Sequence, residues 1–316
     1  MTRSLRIVVA GAGYAGALAA VRAARRLRDR GEVLLVSPDD FLVERIRLHE
    51  HVVRGREVRV PLGRFLRGLP AKHVAGRIEG FDRKRREAIV GGERVAFDRL
   101  ILAIGSAVER DRVDGVREHA WTLDPGRAPE LRRALDALAP GSRVAVVGGG
   151  LTGVELASEL AEARELRVAL LTSGPVAELL SERGRDHVRA TMSRLGVDLR
   201  ERTRAERVGA RAVETDRGPV AADLVVWCGG FAAPAWLLEA GLAVNRRGQA
   251  IVDPFLRAVG HEAVLVAGDA ASPAVDPGHP VSMSCKTGMP MGAHAADVAV
   301  DELLGRTPRP FDFGES

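Results

Sequence analysis

One glycine pattern occurs twice in this chain, as Gly11-Ala12-Gly13-Tyr14-Ala15-Gly16 and as Gly148-Gly149-Gly150-Leu151-Thr152-Gly153. Each copy stands between an apolar strand-like run and a helix-like run, and few folds tolerate that arrangement twice. In a strand-to-helix turn of this kind the first glycine permits the tight turn, and the second lets backbone N–H groups approach a pyrophosphate. The third lets helix and strand pack closely. The N-terminus of the following helix then attracts the anion. A lone copy is equally compatible with an ordinary Gly-rich turn, so the flanks decide. Leu5-Arg6-Ile7-Val8-Val9 reads as a buried strand, and Ala15 to Leu27 as a helix with Ala19, Ala20, Ala23 and Ala24 at packing positions. Arg143-Val144-Ala145-Val146-Val147 and Val154 to Ala163 repeat the pair, with Leu156 and Leu160 on one helix face. Two such units predict two bound dinucleotides.

Composition narrows the class. At 316 residues the chain exceeds one compact core, and a hydrophobic content of 46% supplies two. The net charge is +5, yet aromatic residues make up only 4% and no basic block resembles a binding arm, so no nucleic-acid partner is expected. The densest basic run, Arg83-Lys84-Arg85-Arg86, falls where a hairpin tip is expected between Ile78-Glu79-Gly80-Phe81 and Ala88-Ile89-Val90. Cys228 and Cys285 are the only cysteines, too few and too far apart for a disulfide framework or a Cys-rich metal site, which fits a reducing compartment and predicts no metal. The apolar stretch Ile7 to Val21 is shorter than a spanning helix and contains the first glycine pattern, so a cytoplasmic protein with no stable membrane anchor is expected.

The first strand–helix–strand unit runs from Leu5 to Val36, followed by a helical stretch from Phe41 to Val53 and a segment containing Pro61. Leu100 to Ile104 reads as a buried strand ended by Gly105, and Ala107 to Pro129 as a crossing linker. Leu131 to Leu138 reads as a helix, and the second unit extends from Arg143 to Thr172. A helix near Glu178 to Leu195, strand pieces at Val197–Leu199 and Val208–Thr215, and a strand Leu224–Trp227 before Gly229-Gly230 complete that half. Ala263 to Asp269 is a further strand ending in Gly268-Asp269, and Gly292 to Leu304 a closing helix.

The succession of these motifs, with Ala103-Ile104-Gly105 between the two fingerprints and Gly268-Asp269 after them, resembles the two-dinucleotide-binding-domain flavoproteins of the pyridine nucleotide-disulfide oxidoreductase superfamily. The stretch Gly148 to Glu159 is similar to the type II NADH dehydrogenases and their actinobacterial relatives. The resemblance implies an α/β fold of two Rossmann-like domains with parallel sheets. The FAD domain would be discontinuous, residues 1–118 and 244–316, around an NAD(P)H domain at 119–243. It implies that Gly11, Gly13, Ala15 and Gly16 hold the FAD pyrophosphate, that Ala103 and Gly105 approach the flavin, and that Gly268 and Asp269 meet its ribityl chain. Ile78 would place its backbone against adenine and Arg45 would reach the flavin phosphates or lie on a solvated helix face. Gly148, Gly150, Thr152, Gly153 and Gly229 would serve NAD(P)H, with Glu155 at the nicotinamide carboxamide as the catalytic position.

Ribose recognition departs from the pattern, because Ser37 and Thr172-Ser173 stand where a 2′-hydroxyl binder carries Asp or Glu. At the second site a missing carboxylate admits NADPH as well as NADH, with Arg183 or Arg185 as partners of a 2′-phosphate. No adjacent pair of thiols is present, which argues against disulfide reduction. Lys286 and Met291 replace the Gln residues that the resemblance places in quinone-binding members. The family's C-terminal segment is expected to be missing after Phe313-Gly314-Glu315-Ser316. The expected function is an FAD-dependent NAD(P)H:acceptor oxidoreductase using a small-molecule electron acceptor, with a homodimer allowed. The alternatives are a redox-responsive flavoprotein resembling the apoptosis-inducing flavoproteins, or a tailoring oxidoreductase of secondary metabolism.

Overall fold

Strand β1 (Leu5–Ala10) pairs in parallel with β2 (Gly31–Ser37), and α1 (Tyr14–Leu27) makes the crossover between them. The apolar run Ile7 to Ala10 is buried on both faces, as a central parallel strand requires, and Ala19, Ala20, Ala23 and Ala24 of α1 are fully buried above it. The computed structural model describes residues 4–273 and 282–312. The chain divides into two compact units, residues 1–43, 59–107 and 232–316 in the first, residues 44–58 and 108–231 in the second.

After β2 the chain departs from the sequence expectation. Phe41–Val43 is a strand paired antiparallel with Arg59–Pro61, and the helix α2 spans only Leu48–Arg54. The run Phe-Leu-Val favours a pleated strand, and a β-ladder overrides the helical pattern there. Residues 44–58, α2 included, cluster with the second unit. In the first unit β3 (Ala71–Ala75) flanks β2, and β4 (Arg99–Leu102) flanks β1 on its other side, all parallel. The basic run Arg83 to Arg86 forms the turn between Ile78–Asp82 and Glu87–Val90, strands of a separate antiparallel sheet.

The second unit is built on a parallel five-stranded sheet, with a three-stranded antiparallel sheet from Ala205–Val208, Ala212–Thr215 and Val220–Ala221 beside it in the chain. The parallel strands are β5 (Ala120–Thr122), β6 (Arg143–Val147), β7 (Arg167–Leu171), β8 (Asp198–Arg200) and β9 (Leu224–Trp227), in the order β5-β9-β6-β7-β8. The presence of β5 corrects the reading of residues 107–129 as a linker. Helix α3 (Ala128–Asp136) precedes β6, and α4 (Leu151–Ala163) crosses from β6 to β7, starting three residues earlier than the sequence pattern indicates.

The chain then returns to the first unit with β10 (His261–Val266), parallel to β4, and α5 (Cys285–Leu303). Helix α5 begins seven residues before the expected Gly292. Ser284 caps it, its Oγ accepting the Thr287 N–H at 3.4 Å, and Gly288 and Gly292 lie inside because the helix packs closely on α1. Close tertiary packing outweighs the poor helix propensity of those glycines. Phe313 to Ser316, on which the expectation of a missing segment turned, lie outside the described residues. Among the described residues no helix is long and apolar enough to cross a membrane.

Candidate functional site

The two fingerprints share their backbone bonds at the first glycine. In the first, the Gly11 N–H donates to the Val36 carbonyl at 2.8 Å and the Ala103 N–H to the Ala10 carbonyl at 2.8 Å. In the second, the Gly148 N–H donates to the Leu171 carbonyl at 2.8 Å and the Cys228 N–H to the Val147 carbonyl at 2.7 Å. Gly11 and Gly148 have φ of +103° and +126°, and a Cβ on either would lie 2.3 Å from the carbonyl oxygen of Ala103 or Cys228. Gly16 and Gly153 are pressed against the first glycine of their own copy, where a Cβ would lie 1.8 and 1.9 Å from its carbonyl oxygen. The middle glycines differ: a Cβ on Gly13 or Gly150 meets nothing within 4 Å.

Gly13 and Gly150 are also the N-caps of α1 and α4, with extended backbone and no side chain bonded to the helix N–H groups. The Glu182–Arg194 helix and α5, by contrast, are capped by Ser181 and Ser284. At both helix starts no side chain caps the N–H groups and the space before the glycine is open, the environment that a phosphate group fits. These observations fit a pyrophosphate at each turn.

Other residues gather around the first fingerprint. Gly292 of α5 lies against Ala15, where a Cβ would stand 2.1 Å from the Ala15 carbonyl oxygen, and a Cβ on Gly268 would lie 3.1 Å from the Ala15 Cβ. Asp269 therefore sits beside the start of α1. Its Oδ2 accepts a 2.6 Å bond from the Ser106 hydroxyl, one residue beyond Gly105. Nothing in the sequence signals Ser106, which is 163 positions away from Asp269. Ser37 ends β2, is buried, and bonds the Asp39 carbonyl and His73 Nε2, the latter at 3.1 Å. Ile78 begins the separate antiparallel sheet of the first unit. Arg45 clusters with the second unit, its guanidinium 5.6 Å above the Phe231 ring centroid.

At the second fingerprint Thr172 is buried, and its side chain fills the space beside Gly149, where a Cβ would come within 2.4 Å of the Thr172 Cβ. Arg185 turns to the Leu180 carbonyl at 2.8 Å and to Glu182, while Arg183 is exposed. The turn after β8 is laced to the same edge. The Thr203 N–H donates to the Thr172 carbonyl at 2.8 Å and the Arg202 N–H to the Gly174 carbonyl at 3.3 Å, and the Arg202 side chain is exposed. Glu201, immediately before them, is committed to Arg189 and to the Val176 N–H. Gly229 answers a packing need, since a Cβ there would lie 2.3 Å from the Trp227 ring. Burial pushes the Cys228 thiol up to about 12, which leaves it protonated and unreactive at neutral pH.

Glu155, the fifth residue of α4, keeps 48% of its side chain exposed and has a partner from α2: His49 Nδ1 lies 3.7 Å from its Oε2. Burial raises the Glu155 carboxyl above the usual carboxylate range, charge on His49 draws it back down, and Glu50 adds to the rise. Helix α2 packs on α3 and α4. Its C-terminal carbonyls are held by Arg132, donating to His51 at 2.9 Å, and by Arg164, donating to Val53 at 2.9 Å.

The family model described as pyridine nucleotide-disulphide oxidoreductase matches residues 5–297. The NADH dehydrogenase-like protein Rv1812c of Mycobacterium tuberculosis is 33% identical over 324 residues, covering 95% of this chain and 81% of that protein. A type II NADH:quinone oxidoreductase of Staphylococcus epidermidis is 23% identical over 98% of this chain and 85% of its own length. Among solved structures, reduced Bacillus anthracis CoADR-RHD superposes with a TM-score of 0.84 at 19% identity, over 98% of this chain and 58% of that one, a likeness of fold. The duplicated fingerprints and the match over nearly the whole chain agree: this chain belongs to the pyridine nucleotide-disulphide oxidoreductase family, whose members use FAD and NAD(P)H.

Proposed function

We propose that the chain is an FAD-dependent NAD(P)H:acceptor oxidoreductase that hands electrons to a small-molecule acceptor. When bound, FAD supplies the chemistry of hydride uptake from reduced nicotinamide and onward reduction of the acceptor. The protein's part is binding and orientation. The observation that carries the reading is the pair of uncapped helix N-termini, each fronted by a glycine with open space before it.

In this reading Gly11, Gly13, Ala15 and Gly16 hold the FAD pyrophosphate on the N–H groups of α1. Asp269, held by the Ser106 hydroxyl, would accept hydrogen bonds from the ribityl hydroxyls, and Ala103 and Gly105 would serve the flavin. Gly148, Gly150, Thr152 and Gly153 hold the pyrophosphate of NAD(P)H, and Glu155 accepts from the nicotinamide carboxamide. No carboxylate stands at Thr172 or Ser173 to repel a 2′-phosphate, so both nucleotides are substrates. Met291 is buried and Lys286 exposed on α5, a surface that offers no apolar lining from these two positions for a quinone tail. On this reading the acceptor is a small, water-soluble oxidant. Reoxidation of the reduced protein by ferricyanide, a short-chain quinone and a long-chain quinone in liposomes tests this. Fast reoxidation by the first two is expected, and fast reoxidation confined to the liposomal quinone would overturn the choice of acceptor.

A further inference from the structure

The contact between His49 and Glu155 joins two segments that lie 106 positions apart in the chain, and the fold gives it a rigid frame. Helix α2 is clamped to α3 and α4 through Arg132 and Arg164 on its last carbonyls. A Cβ on Gly55, which ends α2, would lie 2.2 Å from the Arg132 guanidinium. Only 13% of the His49 side chain is exposed.

The other charges around Glu155 are already spoken for. Glu50, also on α2, is bound by Arg47 and Arg56, each at 2.8 Å, and the two arginines hold its carboxyl below the usual range against the effect of burial. Glu159, one turn further along α4, pairs with Arg54. From the strands beneath α4, Arg143 is tied to Asp223 at 2.9 Å, and Arg167 stands with it at the N-terminal end of its strand, away from the start of α4. His49 Nδ1, 3.7 Å from Oε2, pairs with the Glu155 carboxylate.

We infer that His49 is a positioning residue for the nicotinamide half-site: from 3.7 Å, on a helix held against α4, it keeps the Glu155 carboxylate in place to receive the nicotinamide carboxamide. The inference rests on the placement of the carboxamide at Glu155 proposed above. A carboxylate accepts hydrogen bonds from a primary amide, whereas its protonated form has lost part of that capacity. Desolvation favours the neutral acid and an adjacent cation favours the anion. Loss of His49 therefore raises the Glu155 pKa further, and binding fails at a higher pH. A permanent cation in its place prevents this. A pure packing role for His49 would change affinity equally at every pH.

The test is the dissociation constant of NADH, read from its own fluorescence on the full chain between acid and mildly alkaline pH. For the unaltered protein, binding weakens on acidification. His49→Gln should move that acid limb to higher pH by roughly half to one unit, which is about 3- to 10-fold weaker binding on the limb and little change well above it. His49→Lys should restore the limb to its original place. Glu50→Gln, which leaves His49 untouched, should move the limb the other way, to lower pH, because it removes a like charge and frees two arginines. Glu155→Gln should abolish the limb. A His49→Gln profile that coincides with that of the unaltered protein, while Glu155→Gln removes the limb, overturns the role of His49 and leaves the site in place. A limb and an affinity unchanged by Glu155→Gln overturn the site itself, and the inference with it.

Discussion

At the scale of single residues, the structure separates glycines that the sequence pattern treats as one motif. Gly16 is needed by the fold, because a Cβ there would overlap the Gly11 carbonyl oxygen, while Gly13 faces open space with φ of −72°. The expected outcome is a contrast. Gly13→Val folds with unchanged thermal stability and loses flavin uptake, whereas Gly16→Ala lowers stability by about 1–3 kcal/mol through overpacking. Circular dichroism melts and flavin absorbance check both, and a Gly13→Val protein retaining its full flavin band contradicts the assignment. Both glycine triplets were legible in the sequence, since a fixed spacing at a strand-to-helix turn has a mechanism. The placements of Ser106, His49 and Arg202 were not legible, because they come from contacts with residues far along the chain. Arg202 carries its own prediction: its exposed guanidinium stands at the turn laced to Thr172 and Gly174. Arg202→Glu should lower kcat/KM for NADPH by roughly tenfold or more, the scale of one charge-assisted hydrogen bond, and leave that for NADH unchanged. Equal loss with both nucleotides would show that Arg202 does not select between them.

At the scale of elements, the pair α1 and α5 builds the surroundings of the first fingerprint. Gly288 and Gly292 let α5 approach Ala15, and Asp297 binds Arg22 and Arg26 of α1, each at 2.7 Å, with Asp301 bound to Arg26 at 2.7 Å. Burial works against the charged form of Asp297, but the two arginines outweigh it and hold its carboxyl below the usual range. A lowered pKa in the folded state means stability that is present above the unfolded value and lost as pH falls through the folded one. The groups are partly exposed, so the contribution is about 1 kcal/mol. Asp297→Ala is thus expected to reduce stability by that amount at neutral pH and by much less in strong acid, in denaturant titrations at the two conditions. A constant difference across pH would assign the loss to packing. The sequence showed α1 almost to the residue because its alanine face is periodic. It missed the first turns of α5 because glycine and proline argue against a helix, and only the packing on α1 makes them acceptable. The strand at Phe41–Val43 was missed for a related reason, since its partner at Arg59–Pro61 lies on the far side of α2 in sequence.

At the scale of the whole molecule, one βαβ solution is used twice, with the same backbone bonds at Gly11 and Gly148 and the same open helix ends at Gly13 and Gly150. That duplication was legible, because hydrophobic strands and glycine spacing are local. The excursion of residues 44–58 into the second unit was not, since it depends on carbonyl contacts made by Arg132 and Arg164. The central claim is that the first fingerprint holds FAD and the second delivers reduced nicotinamide to it. The most direct measurement is anaerobic single-turnover mixing of the FAD-loaded protein with NADH and with NADPH, following the visible absorption of the flavin. The expected result is rapid bleaching in the unaltered protein with both nucleotides, and bleaching lost in Gly150→Val although its FAD content is unchanged. A protein that takes up no FAD, or whose bound flavin keeps its absorption with either nucleotide, would contradict the account.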